Sequence, residues 1–419
     1  MKRFYSIITI IAALFTLASC NQDTPVPPEG EASKSILVYI AAYKNSLATA
    51  VSADIEEIKQ GYVPGYLTGG EDKVLLVYLD SEREECPTLC RYYKKDMALV
   101  IDTLKKYPHQ NSASAEVLAT VINDAESFFP VKQRGLILSS HGTGWLPKGF
   151  YSNPTESVTA PDGSVFLRPA PAQMEDPYAD MVKTWGLHDR YNAKAEMEIC
   201  DLCACLPFHY DFIAFDACLM GGIETVYQLR DKCDFVMSSA AEILTDGYPY
   251  DTVIEPFFKM DEDGVVAAAD IYYTYYEYID TGATISVFKT SELAEVAEKS
   301  RAVFSSLERD GEGTAYKIEG LPMDKVQGYF RMGRHYFYDY LDLMERISTP
   351  EQYAELCAAW DRACRFKAAT PEYKLGGHTE FRIKRFCGLS TYISNPRHSK
   401  LDSFYLGFDW NKAVGMVVE

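Results

Sequence analysis

Short apolar runs alternate with amphipathic segments along most of the chain, and that alternation predicts a repeated strand-helix order. Near-continuous apolar stretches at Ser35–Tyr43 (SILVYIAAY) and Lys73–Asp80 (KVLLVYLD) read as strands buried on both faces. Ala48–Gln60 follows the first with helical spacing, and Cys90–Lys106 predicts a short strand or an extended arm. Ser112–Phe129 predicts a helix with Val117, Leu118, Val121, Ile122 and Ala125 on one face. Arg134–Gly144 (RGLILSSHGTG) carries a strand, Leu136–Leu138, into a polar loop. Trp145–Ala193 loses periodicity, is rich in Pro, Gly and Asp, and is long for a loop. A helix over Ala195–Leu206, a strand in Asp211–Met220 (DFIAFDACLM), a helix over Gly222–Arg230 and a strand at Asp234–Ala241 restore the alternation. A tyrosine-rich helix (Gly264–Ile279), a strand (Thr284–Lys289) and a helix (Ser291–Glu308) follow. Helices near His335–Arg346 and Pro350–Phe366 and a late strand, Gly388–Ser394, make up the remainder. Such an order implies a mainly parallel sheet covered by helices on both faces.

The start of the chain has a different pattern. Lys2 and Arg3 precede an apolar run, Ile7–Leu17, too short for a stable membrane span, and Leu-Ala-Ser-Cys ends at Cys20. This resembles the lipobox of bacterial lipoproteins, which would make residues 1–19 a signal peptide and Cys20 the lipidated first residue. Residues 20–34, rich in Pro, Glu and Ser, read as a flexible tether. The expected location is therefore the cell envelope, lipid-anchored to a bacterial (outer) membrane and facing the periplasm or the outside. A core over 35–309 and a C-terminal region over 310–419 packed on it complete the expected organisation.

Composition adds three constraints. The 419 residues carry a formal net charge of −19, without the clustered Lys and Arg that phosphate binding needs, so nucleic acid is excluded as an expected partner. An exported chain permits disulfides, and Cys86 and Cys90, four apart in a charged loop, are the pair most expected to bridge. Cys200, Cys203 and Cys205 continue a helical pattern without partners at zinc spacing, so neither a metal nor any other cofactor is expected.

The chemistry gathers at two strand ends. In DFIAFDACLM the strand runs into Cys218, then Gly221-Gly222 and a helix. In an open α/β sheet ligands collect at that edge, and a helix start there favours thiolate. Strand parity puts Asp216 and Cys218 on one face, looking into one cavity. His141 ends another strand and would stand at the same edge. A thiolate–imidazolium pair can attack a carbonyl carbon, which makes Cys218 the candidate nucleophile and His141 the proton donor to the leaving amine. The N–H groups of Gly142 and Cys218 are the candidate oxyanion donors. His209 precedes its strand and belongs to the opposite edge.

SSHGTGW, then FDACLMGGIETVYQLRD, then SAAEILTDGYPY resemble the clostripain family of bacterial cysteine peptidases, over residues 35–419. The resemblance implies a caspase-like αβα sandwich with a mainly parallel central sheet, here with a C-terminal α/β extension. It implies a His141–Cys218 dyad and cleavage after Arg or Lys, with Asp216 at the base of the S1 pocket. For a second pocket acid Asp246 matches best, with Glu242 a rival, whereas an acid at Asp216 could alternatively cap the next helix. Family members are often activated by self-cleavage, so the expectation is a cut within 145–193, which offers Lys148, Arg168, Lys183 and Arg190, or no processing at all. Two departures stand out: Ser140 replaces the family's acid before the histidine, and Thr143 interrupts the glycines. Calcium affects some members, but no EF-hand pattern occurs here. The expected activity is that of a cysteine endopeptidase on extracytoplasmic proteins or peptides, from a monomeric chain. Open alternatives are a catalytically weak peptide-binding lipoprotein and a thiol transpeptidase.

Overall fold

The apolar runs become the middle of a nine-stranded sheet, because strands buried on both faces can pair only where helices cover both sides. The computed structural model describes residues 31–43, 47–67, 71–148, 150, 155–159, 165–169, 196–308, 321, 323–330, 336–394 and 399–418. The signal peptide, Cys20, most of the tether (residues 20–30), and Lys183 and Arg190 lie outside these residues.

In chain order the elements are β1 (Lys34–Ala42), α1 (Ala48–Gln60), β2 (Lys73–Ser81), β3 (Thr88–Lys95), β4 (Ala98–Lys106), α2 (Ala115–Phe128) and β5 (Gln133–Ser139). A small hairpin, β6 (Thr155–Thr159) and β7 (Val165–Pro169), precedes α3 (Ile199–Cys205), β8 (Tyr210–Asp216), α4 (Ile223–Gln228) and β9 (Cys233–Ser238). Next come α5 (Tyr250–Phe257), α6 (Glu262–Tyr278), β10 (Thr284–Lys289) and α7 (Leu293–Ser306). The C-terminal part adds β11 (Tyr338–Asp339), α8 (Tyr340–Ile347), α9 (Pro350–Ala363), β12 (Cys364–Ala369), β13 (Glu372–Leu375), β14 (His378–Arg382), β15 (Ser390–Thr391), α10 (Ser399–Tyr405) and α11 (Asp409–Val414).

The sheet runs β12-β10-β9-β8-β5-β1-β2-β3-β4. Its five inner strands, β9 to β2, are parallel, and antiparallel strands close both ends. Helices α1, α5 and α6 pack together on one face, and α2, α3, α4, α7, α9 and α11 form the other layer. Local signals start several helices: the Ser114 side chain accepts from the Val117 N–H at α2, and Thr349 and Gln352 form a reciprocal capping box at α9.

Register fixes the two edges of the sheet. Lys34 is level with Lys73 and Gln133 at the amino edge, while Ser139 and Asp216 pair near the carboxyl edge. Strand β3 runs antiparallel to β2, with Tyr92 opposite Leu75, so the β3–β4 turn returns to the amino edge.

Several local expectations are corrected. Residues 90–106 form most of a two-stranded hairpin, β3 and β4, rather than one short strand, and Asp96 and Met97 turn it with φ of 52° and 65°. Residues 145–193 include the β6–β7 hairpin. Helix α5 escaped the pattern because Pro249 precedes it and Pro256 lies inside it, both breaker signals. Strand β12 escaped because edge position leaves its residues alternately exposed, without an apolar run. The late strand shrinks to Ser390–Thr391. Cys86 and Cys90 do not bridge; both thiols are free, and Cys90 Sγ faces Thr103 Oγ1 on β4 at 3.8 Å.

Candidate active site

Two adjacent parallel strands deliver the chemistry. Ser139 on β5 pairs with Asp216 on β8, and each strand continues two residues to His141 and Cys218. The loops then touch: a Cβ on Gly142 would collide with the Cys218 carbonyl oxygen and stand 3.1 Å from the Cys218 nitrogen. Glycine is required there because backbone meets backbone. Gly144, at φ 59°, lies equally close to the Leu219 carbonyl. Ser140, where the family has an acid, donates to the Ala41 carbonyl at 2.8 Å and ties the histidine loop to β1.

The nucleophile turn is held by three backbone hydrogen bonds. Leu219 takes φ 62°, an uncommon conformation for a bulky side chain that costs about 1–2 kcal/mol. It persists because Leu219 N–H donates to the Ala241 carbonyl at 3.0 Å and Gly221 N–H to the Ser239 carbonyl at 2.7 Å. From the C-terminal part, Ser390 N–H donates to the Gly221 carbonyl at 2.8 Å.

Cys218 is fully buried. Its Sγ accepts from the Ile243 N–H at 3.1 Å and lies 3.3 Å from the Ile243 carbonyl, to which the thiol can donate. The segment after β9 thus lies over the thiol. His141 is half-buried and lines a cavity of about 110 Å³ with Ser112, Met197, Phe215, Ala217 and Met220.

Parity holds at this strand end, but with a different consequence from the one expected. Phe215 and Ala217 look into the His141 cavity, whereas Asp216 and Cys218 both act on Tyr272 of α6 and so face the other way. Asp216 is fully buried. Its Oδ2 accepts from Ser139 Oγ and Tyr250 OH, each at 3.0 Å. Helix α4 starts from Gly222 as its N-cap, without a side-chain cap bond from that residue. Asp246 is exposed, and Glu242 is buried with its backbone carbonyl accepting from Tyr373 OH at 3.3 Å. His209 pairs with Asp234 at 3.0 Å at the amino edge.

Sequence reasoning missed Glu57. On α1 it accepts from the Tyr250 N–H at 3.0 Å, and only tertiary packing of α1 on α5 brings it there. Burial pushes its carboxyl up to about 7; the Tyr250 N–H opposes this, and the charges of Asp251, Asp246 and Asp216 add to the rise. A raised carboxyl holds its proton longer in the folded state, so stability falls as pH climbs from about 4.5 to about 7. Glu57→Gln is therefore expected to flatten the decline of the unfolding midpoint between about pH 4.5 and about pH 7. An unchanged slope would remove Glu57 from that titration.

The nine-stranded, mainly parallel sheet covered by helices matches that of C11 protease structures, of the caspase-like α/β fold. The chain belongs to the clostripain family, whose sequence profile matches residues 38–158 and 172–368. It is similar to clostripain of Hathewaya histolytica, 25% identical over 263 residues that span 57% of this chain and 45% of that one. The chain thus spans less than half the length of that curated relative. Among solved structures it resembles an inactive zymogen C11 protease from Parabacteroides distasonis, at 30% identity and a TM-score of 0.73 over 93% of this chain and 99% of that one. A secreted C11 cysteine protease from Bacteroides thetaiotaomicron, in complex with an irreversible peptide inhibitor, matches at 27% identity and a TM-score of 0.72 over 91% and 99%.

Proposed function

We propose that this chain is an endopeptidase that cleaves after Arg or Lys through a thioester on Cys218. The observation that carries the reading is the contact of Gly142 with the Cys218 backbone, which sets the His141 loop against the nucleophile turn. Cys218 thiolate attacks the scissile carbonyl carbon, and the oxyanion forms against the N–H groups of Gly142 and Cys218. The C–N bond breaks as His141 passes a proton to the leaving amine. Water then attacks the thioester, His141 takes its proton, and the carboxylic acid product leaves the thiolate.

Carboxylates support the preference for a basic side chain. Asp216 and Asp246 both act electrostatically on Glu57 and on Tyr276, so three acids share one neighbourhood beside the nucleophile strand. Cleavage requires the Ile243 segment to release the thiol, and reaching Asp216 requires Tyr250 to move. That closure also favours a second reading, a binding protein whose thiol stays covered. A panel of reporter peptides with Arg, Lys, Asp and Ala at P1 separates the two. Turnover restricted to Arg and Lys, with an Asp216→Asn loss of about 10-fold or more in kcat/KM, is the expected result. Equal turnover of all four would remove Asp216 from specificity, and no turnover or inhibitor labelling would leave the binding protein.

The lipobox at Cys20 supports action outside the cytoplasm, on proteins reachable from a membrane surface.

A further inference from the structure

The β3–β4 turn breaks two rules of a soluble surface at once. Met97 is 91% exposed, although apolar, and its φ of 65° lies in the left-handed region. A two-residue turn with both φ positive favours Asn-Gly, and Met there costs about 1 kcal/mol that glycine would avoid. Leu99 and Ile101 continue the apolar exposure along β4, at 36% and 39%. Strand β4 is also an outer strand of the sheet.

The position of this turn gives the exposure a meaning. Tyr92 is level with Leu75, so Lys95, three residues on, is level with Asp72, just beyond the first pair of β1 and β2, Lys34 with Lys73. The turn therefore projects from the amino edge, where the chain enters the fold at Lys34. Cys20 precedes Glu31 by eleven residues, a reach of at most about 40 Å. The same half of the edge carries Lys34, Lys73, Lys94, Lys95 and Lys132 in a chain of net charge −19, interrupted by Glu31, Glu71, Asp72 and Asp96. The acids Asp211 and Asp234 stand at the starts of β8 and β9, in the other half.

We propose that the Met97 turn is a second, non-covalent membrane contact, seated in an anionic lipid surface while Cys20 holds the chain there. The inference rests on the lipid-anchor reading. Three apolar side chains, Met97, Leu99 and Ile101, and two flanking lysines bind a bilayer weakly by themselves, but a short tether converts the contact into an intramolecular one. The consequence is orientation: with the amino edge down, Cys218 and His141 at the carboxyl edge face away from the membrane. A β-strand spans ~3.3 Å per residue, so the seven to nine residues of these strands lift the site by roughly 25 Å.

The test uses the lipidated chain purified from bacterial membranes and reconstituted into phosphatidylethanolamine–phosphatidylglycerol vesicles with brominated acyl chains. Met97→Trp and Tyr278→Trp are compared, each corrected for the four native tryptophans. Tyr278 is the control because it is 87% exposed and ends α6, six residues before β10 starts at the carboxyl edge. Flotation that is lost in Cys20→Ala, with bromine quenching of Met97→Trp at least about twofold greater than of Tyr278→Trp, is the expected result. Flotation with equal quenching, or with greater quenching of Tyr278→Trp, overturns the membrane-contact proposal and leaves the anchor standing. Failure of the wild-type chain to float overturns the anchor and this proposal with it.

Discussion

Cys218→Ala is expected to leave less than about 1/1000 of the hydrolysis of Arg and Lys reporter peptides, because removing the nucleophile of a covalent mechanism costs at least that factor. His141→Ala is expected to cost nearly as much, and the double variant no more than the worse single one, since residues acting as one unit are not additive. The fold offers a clean background for this experiment. The Cys218 thiol makes two weak bonds to the Ile243 backbone, so its loss should change stability by only ~1 kcal/mol. A Cys218→Ala protein with normal unfolding and full activity would sink the proposed mechanism.

The second large effect is expected far from the reacting atoms, at Glu224 in the first turn of α4. Its carboxyl is wholly buried, and Oε1 accepts from Thr391 Oγ1 at 2.9 Å, Tyr392 N–H at 2.9 Å and Tyr405 OH at 2.6 Å. Burial pushes this carboxyl up, and its three donors only partly oppose that. All three donors belong to the last thirty residues of the chain, while Glu224 lies two residues beyond the glycine pair of the nucleophile turn. Glu224→Ala would strand buried donors at ~1–3 kcal/mol each, so a loss of ~3 kcal/mol or more is expected. Glu224→Gln keeps the Oε1 acceptor and needs no proton, and it should fold with nearly the wild-type unfolding midpoint and retain most of its kcat. If alanine is tolerated as well as glutamine, the C-terminal part does not brace the turn.

What the sequence reveals and what it hides divide along physical lines. Buried strands such as β2, β5 and β10 were legible because continuous apolar runs bounded by polar residues have few other solutions. The adjacency of the strand ends that lead to His141 and Cys218 was legible because each residue follows such a strand, and parallel neighbours align their ends. Helix α5 and strand β12 were not, since one is broken by prolines and the other draws its place from pairing with β10 rather than from its own pattern. The site follows the same division. Parity correctly put Asp216 and Cys218 on one face, but parity says nothing about what packs over that face, and Tyr250 and Ile243 arrive from distant segments to cover it. Glu57 was invisible for that reason too: its role depends on α1 meeting α5, a contact between residues nearly two hundred positions apart.

The bracing of the Cys218 turn also sets an order in time. A chain is made from its amino end, and residues 390–405 supply the bonds to Gly221 and Glu224. Until those residues have left the ribosome, or crossed the membrane in an exported chain, the turn lacks its third support. The part of the molecule with hydrolytic potential is therefore finished only after residues 390–405 are made, and chains cut short before them would carry the cysteine without the scaffold that aims it.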